Sequence, residues 1–194
     1  MKIILKPGQN VYFLADTHLN HTNIAGPKVS KWKKGYRNYD SVEEMNDTII
    51  NNINSKVGQN DIVFFLGDFC MGDNDTIKKF RKRIICKNIH FILGNHDKNI
   101  RKNSEGIRGI FTSVQNYLEI TINENRLILF HYPIGSWDQI HRGSIHLHGH
   151  CHGTFNHGKG KIMDVHRECG TPYSLNEILK IMEDKEIIGV DHHE

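Results

Sequence analysis

Six short apolar runs punctuate this chain, and five of them stop at a polar cluster rich in Asp, His, Asn and Gly. The runs are Ile3 to Leu5, Val11 to Ala15, Ile62 to Leu66, Ile89 to Leu93, Leu127 to Phe130 and Ile145 to Leu147. Each is too short for a helix and rich in β-branched or aromatic residues, which favours buried strands. A chain built this way must pack sheets through its interior, and its polar chemistry is gathered where the strands end.

Between the runs lie segments of helical period. Val42, Met45, Ile49, Ile50 and Ile53 share one face, and Ser41 with Glu44 predicts a capping box in front of them. Ile77, Phe80, Ile84 and Ile85 mark a second helix starting at Asp73 or Asn74, and Leu175, Ile178, Leu179 and Met182 a third, opened by Ser174 and Glu177. Strands alternating with helices in the first half indicate an α/β sheet. Phe111 to Asp164 reads as mostly strand, with Asn123-Glu124-Asn125 as a hairpin turn. Without an internal repeat or linker, residues 1–194 are expected to form one domain.

The clusters carry the chemistry. They are Asp16-Thr17-His18, Gly67-Asp68, Gly94-Asn95-His96-Asp97, His131 and Gly149-His150-Cys151-His152. In open α/β sheets ligands bind at the carboxyl ends of strands, so one cleft can collect all five. Glycine before a ligand lets the backbone approach without a side-chain clash. Carboxylate, imidazole and amide donors with no thiolate suit manganese, with iron, zinc or nickel as alternatives, better than calcium. Two such ions can share a carboxylate, hold a hydroxide between them and clamp a phosphoryl group.

The ordered series D-x-H, G-D, G-N-H-D, H and G-H-x-H, from Asp16 to His152, resembles the calcineurin-like metallophosphoesterase superfamily. Arg37 to Met45, with His21 and Asn23 upstream, further resembles a compact bacterial and phage branch of it. The resemblance implies a four-layer α/β/β/α sandwich of two facing mixed β-sheets flanked by helices. It implies a first divalent metal on Asp16, His18 and His152, a second on Asn95, His131 and His150, and Asp68 bridging both. It also implies that His96 protonates the leaving group, with Asp97 orienting the His96 imidazole. Phosphate esters are then the substrates, phosphodiesters of nucleotide type foremost. Monoesters, single-stranded nucleic acid and a non-catalytic metal-binding scaffold are the alternatives.

Several residues outside the series bear on the cleft. His21 follows His18 by three residues and is a candidate substrate contact. Arg37 is another, closing a basic and aromatic stretch, Lys28 to Arg37, that suits phosphate contact and base stacking and can form a lip over the site. His146 and His148 alternate with His150 and His152 and can be read as an isolated zinc or nickel site, but that leaves Asp68 and Asn95 unexplained. His141, His157 and His166 are read as surface or outlying residues. The chain departs from the bacterial and phage branch at Met163 to Cys169, so one wall of the pocket is expected to differ. Loops 20–40, 97–110 and 132–144 are expected to set substrate choice.

The formal charge of +3 is too small to argue for nucleic acid by itself. Scattered Cys70, Cys86, Cys151 and Cys169 offer neither a zinc knuckle nor a disulfide framework. With a polar N-terminus after Leu5 and no membrane-length apolar run, a cytoplasmic protein without membrane or obligate protein partner is expected.

Overall fold

A computed structural model describes residues 1–156 and 158–189. Its strands are β1 (Lys2–Ile3), β2 (Val11–Leu14), β3 (Ile62–Phe65), β4 (Asn88–Ile92), β5 (Ser113–Gln115), β6 (Tyr117–Ile122), β7 (Asn125–Phe130), β8 (Ile145–His148), β9 (Ile162–Asp164) and β10 (Tyr173–Ser174). The helices are α1 (Thr22–Ala25), α2 (Val42–Lys56), α3 (Asn74–Arg83), α4 (Lys98–Lys102) and α5 (Leu175–Glu183).

Two five-stranded mixed sheets result, ordered β10-β2-β3-β4-β5 and β1-β6-β7-β8-β9. In the first, β2 to β5 run parallel and β10 is antiparallel to β2. In the second, only β6 and β7 are antiparallel neighbours. They are joined across Asn123 and Glu124, both at positive φ, as a tight turn between right-twisted strands requires.

Strand alternation divides the core. Phe13, Phe64 and Leu66 of the first sheet face Ile120, Leu127, Leu129 and Leu147 of the second. The opposite side of the first sheet, with Leu14, Phe65 and Phe91, buries the apolar face of α2 and the Ile77 and Phe80 stripe of α3. α5 closes the inter-sheet core with Leu175, Ile178 and Met182. The outer face of the second sheet is covered by Trp137 and Ile140 rather than by a long helix. Much of loop 132–144 is therefore committed to this outer layer.

Two helix ends differ from the sequence reading. The Ser41 hydroxyl accepts from the Glu44 amide, but the Glu44 carboxylate turns to the Asp40 amide, so the box is half formed. α3 ends at Arg83, where the Arg81 guanidinium takes the carbonyls of Ile84 and Cys86. Ile84 is then extended and Ile85 about half exposed. At α5 the box is complete. No helix among the described residues is long and apolar enough to cross a membrane.

Candidate metal centre

The parallel register of β2, β3 and β4 brings their carboxyl ends side by side, and the pairing continues into the loops. The Asp16 amide donates to the Gly67 carbonyl (2.9 Å) and the His18 amide to that of Asp68 (3.0 Å). Side chains cross-brace these loops: Asp68 Oδ1 accepts from the His96 amide (2.8 Å), and Asp16 Oδ2 from that of His150 (2.9 Å). The glycines between have no room for a Cβ. At Gly67 it would lie 2.5 Å from His131 Nδ1, at Gly94 on the Asp68 carboxylate, and at Gly149 on that of Asp16.

Two groups of donors converge: Asp16, His18 and His152 in one, Asp68, His131 and His150 in the other. Asp68 Oδ2 lies 3.8 Å from His18 Nε2 and 3.5 Å from His131 Nε2, so one carboxylate oxygen faces both groups. The Asn95 amide oxygen sits 2.9 Å from both His131 Nε2 and His150 Nδ1. All seven candidate ligands thus occupy one site.

The donor chemistry calls for cations. His131 Nδ1 lies 2.7 Å from the Leu66 carbonyl, which can only accept, so that nitrogen carries the hydrogen. The opposite Nε2 of the neutral ring then presents a lone pair to two oxygens, an arrangement that a cation makes favourable. Burial of this ring opposes protonation, yet Asp68, by hydrogen bond and charge, lifts its pKa above the ordinary histidine value. His18 Nε2 and His152 Nε2 face each other at 3.2 Å, and Asp16 Oδ1 is buried without a hydrogen-bond partner. Burial pushes Asp16 well up and His18 down to about 2. Burial thus works against charge on both groups, and a carboxyl and imidazoles so placed suit each other poorly and a divalent ion well once the carboxyl has given up its proton.

Asp97 has another task than the one expected. Its Oδ2 accepts from the amides of Gly94 (2.7 Å) and Asp68 (2.8 Å), its Oδ1 from that of Phe69 (3.0 Å). No hydrogen bond joins it to the His96 ring among the described residues. It clamps the second and third motif loops together, while burial and the Asp68 charge raise its pKa to about 6. His96 is exposed, with its ring 5.3 Å from that of His18 and 6.4 Å from that of His21.

Arg37 also has an unexpected role. It is buried, donating to the backbone carbonyls of Asp16 (2.7 Å) and Thr17 (2.9 Å), so both Nη groups shape the first motif rather than meet solvent. His21 stands edge-on to His18 and lines, with His96 and Arg37, a cavity of about 390 Å³ beside the metal centre.

Sequence reasoning missed His166. An isolated parallel bridge to Ala15 brings it in, and its ring lies 4.4 Å from that of His152. A signal existed, since Asp164-Val165-His166 repeats the D-x-H spacing of Asp16-Thr17-His18 after an apolar run. His146 and His148 are buried in β8, bonded to the carbonyls of Ile128 and Gly149, and join neither donor group. His141 is exposed, and His157 lies outside the described residues.

A family profile described as calcineurin-like phosphoesterase matches residues 10–193. The uncharacterized protein MJ1445 of Methanocaldococcus jannaschii is 34% identical over 190 residues, spanning 93% of this chain and 95% of its own. The crystal structure of AQ665 from Aquifex aeolicus, a protein of unknown function, superposes with a TM-score of 0.63 at 22% identity. That likeness covers 90% of this chain and 100% of the Aquifex chain, and shows the shared fold.

Proposed function

The chain belongs to the calcineurin-like phosphoesterase family and is a metal-dependent phosphoesterase; from that premise we propose a binuclear centre that cleaves phosphodiesters of nucleotide type. In this reading Asp16, His18 and His152 hold one ion, Asn95, His131 and His150 the other, and Asp68 bridges them. The observation that carries it is the position of Asp68 Oδ2 between His18 Nε2 and His131 Nε2. Manganese is the favoured metal on donor chemistry.

The chemistry available from a pair of divalent ions is activation of a water and neutralisation of charge on the phosphoryl oxygens. The chain's own residues do the rest. His96 is exposed at the mouth of the centre with its amide fixed by Asp68, so its ring can swing to the leaving oxygen and give it a proton. Asp97 holds the loops that carry Asp68 and His96 in register. Arg37 fixes the carbonyls around Asp16. An ester with an alkoxide leaving group gains most from the His96 proton; this serves a diester and an alkyl monoester alike, and the relative rates of matched esters separate the two. The four free cysteines fit a reducing, cytoplasmic setting.

The test is turnover of an aryl phosphodiester and its matched monoester by one metal-stripped preparation re-supplied with Mn²⁺. Faster diester cleavage is expected. Faster monoester cleavage would make the protein a phosphatase, and bound metal without turnover of either would make it a scaffold.

A further inference from the structure

The cavity of about 390 Å³ opens beside His18, His96 and His152, yet most of its wall belongs to residues the hydrolytic reading leaves idle. Loop 20–40 supplies Ile24, Trp32 and Tyr36, and the chain after β9 supplies His166 and Glu168. The wall is therefore largely apolar and aromatic, and two of its residues, His166 and Glu168, come from the segment where this chain departs from the branch it resembles.

One feature of this wall asks for an occupant: an aromatic face open to solvent. The Trp32 indole is 45% exposed, although its neighbour His21 touches it at 5.4 Å between ring centroids. Arg37 is only 4% exposed and its Nη groups are committed to the Asp16 and Thr17 carbonyls, so it backs the wall rather than reaching into the cavity.

An aromatic face beside the Glu168 carboxylate as acceptor describes a flat ring with apolar faces and a hydrogen-bond-donating edge. A second phosphate fits less well. Arg37 is the sole permanent cation of the wall, Glu168 would repel an anion, and the loop's lysines do not line the cavity. Lys28 is instead paired with Asp40 at 2.7 Å.

We propose that this cavity is the subsite for the organic part of the phosphate ester and takes a nucleobase, stacked on Trp32 and read along its edge by Glu168. The assignment rests on the phosphoesterase reading of the adjacent centre. It makes Trp32 and Glu168 specificity-determining residues.

The test reads binding without turnover. Adenosine monophosphate and ribose 5-phosphate are titrated by calorimetry into Mn²⁺-loaded protein, its Trp32→Leu variant and its Glu168→Gln variant. The base-bearing ligand is expected to bind about tenfold more tightly or better, the range of one base–aromatic stack. Trp32→Leu should collapse that ratio towards unity, and Glu168→Gln should change the ranking of adenine, guanine and cytosine monophosphates. Equal affinities in the unaltered protein, or binding of neither ligand, would overturn the proposal. So would tighter binding of ribose 1,5-bisphosphate than of the nucleotide, which would point to a second anion. If no phosphate ester is hydrolysed while the Trp32-dependent ratio persists, the catalytic reading fails and the base subsite stands. Turnover without discrimination does the reverse.

Discussion

Replacing Asp97 by Asn separates the two roles open to this residue. Its carboxylate receives three buried amides, two at Oδ2 and one at Oδ1. An Asn side chain keeps one oxygen for the Gly94 and Asp68 amides and turns its own NH₂ towards Phe69, setting donor against donor. A buried donor left unsatisfied costs about 1–3 kcal/mol. Against this, the rise of the Asp97 pKa to about 6 corresponds to about 3 kcal/mol against the charged form, which a neutral amide escapes. The two terms nearly cancel, so Asp97→Asn in chelator should melt within a few degrees of the unaltered protein. The loop carrying Asp68 is nevertheless displaced at the Phe69 amide, and outer-sphere changes of this kind weaken metal affinity about 10–100-fold. Melting in chelator with Mn²⁺ titration by calorimetry reads both quantities. Unchanged metal affinity, with a rate loss confined to poor leaving groups and equal to that of His96→Ala, would refute the clamp and return Asp97 to the His96 imidazole.

Three further outcomes are expected. His96→Ala should lower kcat about 10²–10⁴-fold on an alkyl phosphodiester and far less on a nitrophenyl ester, whose leaving group needs no proton; steady-state rates on the matched pair decide it. Gly94→Ala places a methyl on the Asp68 carboxylate, so stability should fall by about 1–3 kcal/mol and metal stoichiometry should drop, by chemical denaturation and elemental analysis. Glu177 is partly shielded, which works against ionisation, but Lys56 at 2.6 Å and the Ser174 amide hold its pKa down at about 2. Because the unfolded chain takes up that proton first, the contribution is complete above pH 4.5 and fades as pH falls towards 2. Glu177→Gln should therefore flatten the melting temperature between pH 5 and 3, and an unchanged slope would contradict the assignment.

The strands and metal donors were legible because they depend on local signals. An apolar run marks a strand, and the Gly, Asp or His that ends it marks both the stop and the ligand. What stayed hidden is set by distant neighbours. Arg37 reads as one more basic residue in a surface stretch, and only the fold shows it desolvated against the Asp16 and Thr17 carbonyls. Glu44 satisfies the sequence rule for a capping box, yet its carboxylate has the Asp40 amide within 2.7 Å and takes that instead. His166 enters the centre through a bridge to Ala15 across some 150 residues, a pairing no short window contains. Asp97 beside His96 looks like its partner, but its carboxylate is taken by the amides of Gly94, Asp68 and Phe69.

The backbone at the centre carries the same message as the side chains. Asp16, His18, Asp68, His150 and His152 all adopt positive φ, a region that costs an L residue roughly 1–2 kcal/mol and is ordinarily left to glycine. Glycine at those five positions would relieve the strain and remove the donor. The chain instead places its glycines one step away, at Gly67, Gly94 and Gly149, where a Cβ would strike a ligand. Both choices put the need of the site above the preference of the chain. Bonds between loops hold the strained residues, Asp16 to Gly67, His18 to Asp68, His150 to Asp16 and His96 to Asp68. The donors are thus fixed before any ion arrives, so little ordering entropy is left to oppose binding. A site organised in this way concentrates its cost in the folding of the protein and, on the proposed reading, leaves substrate selection to Trp32 and Glu168, which stand outside the set of candidate ligands.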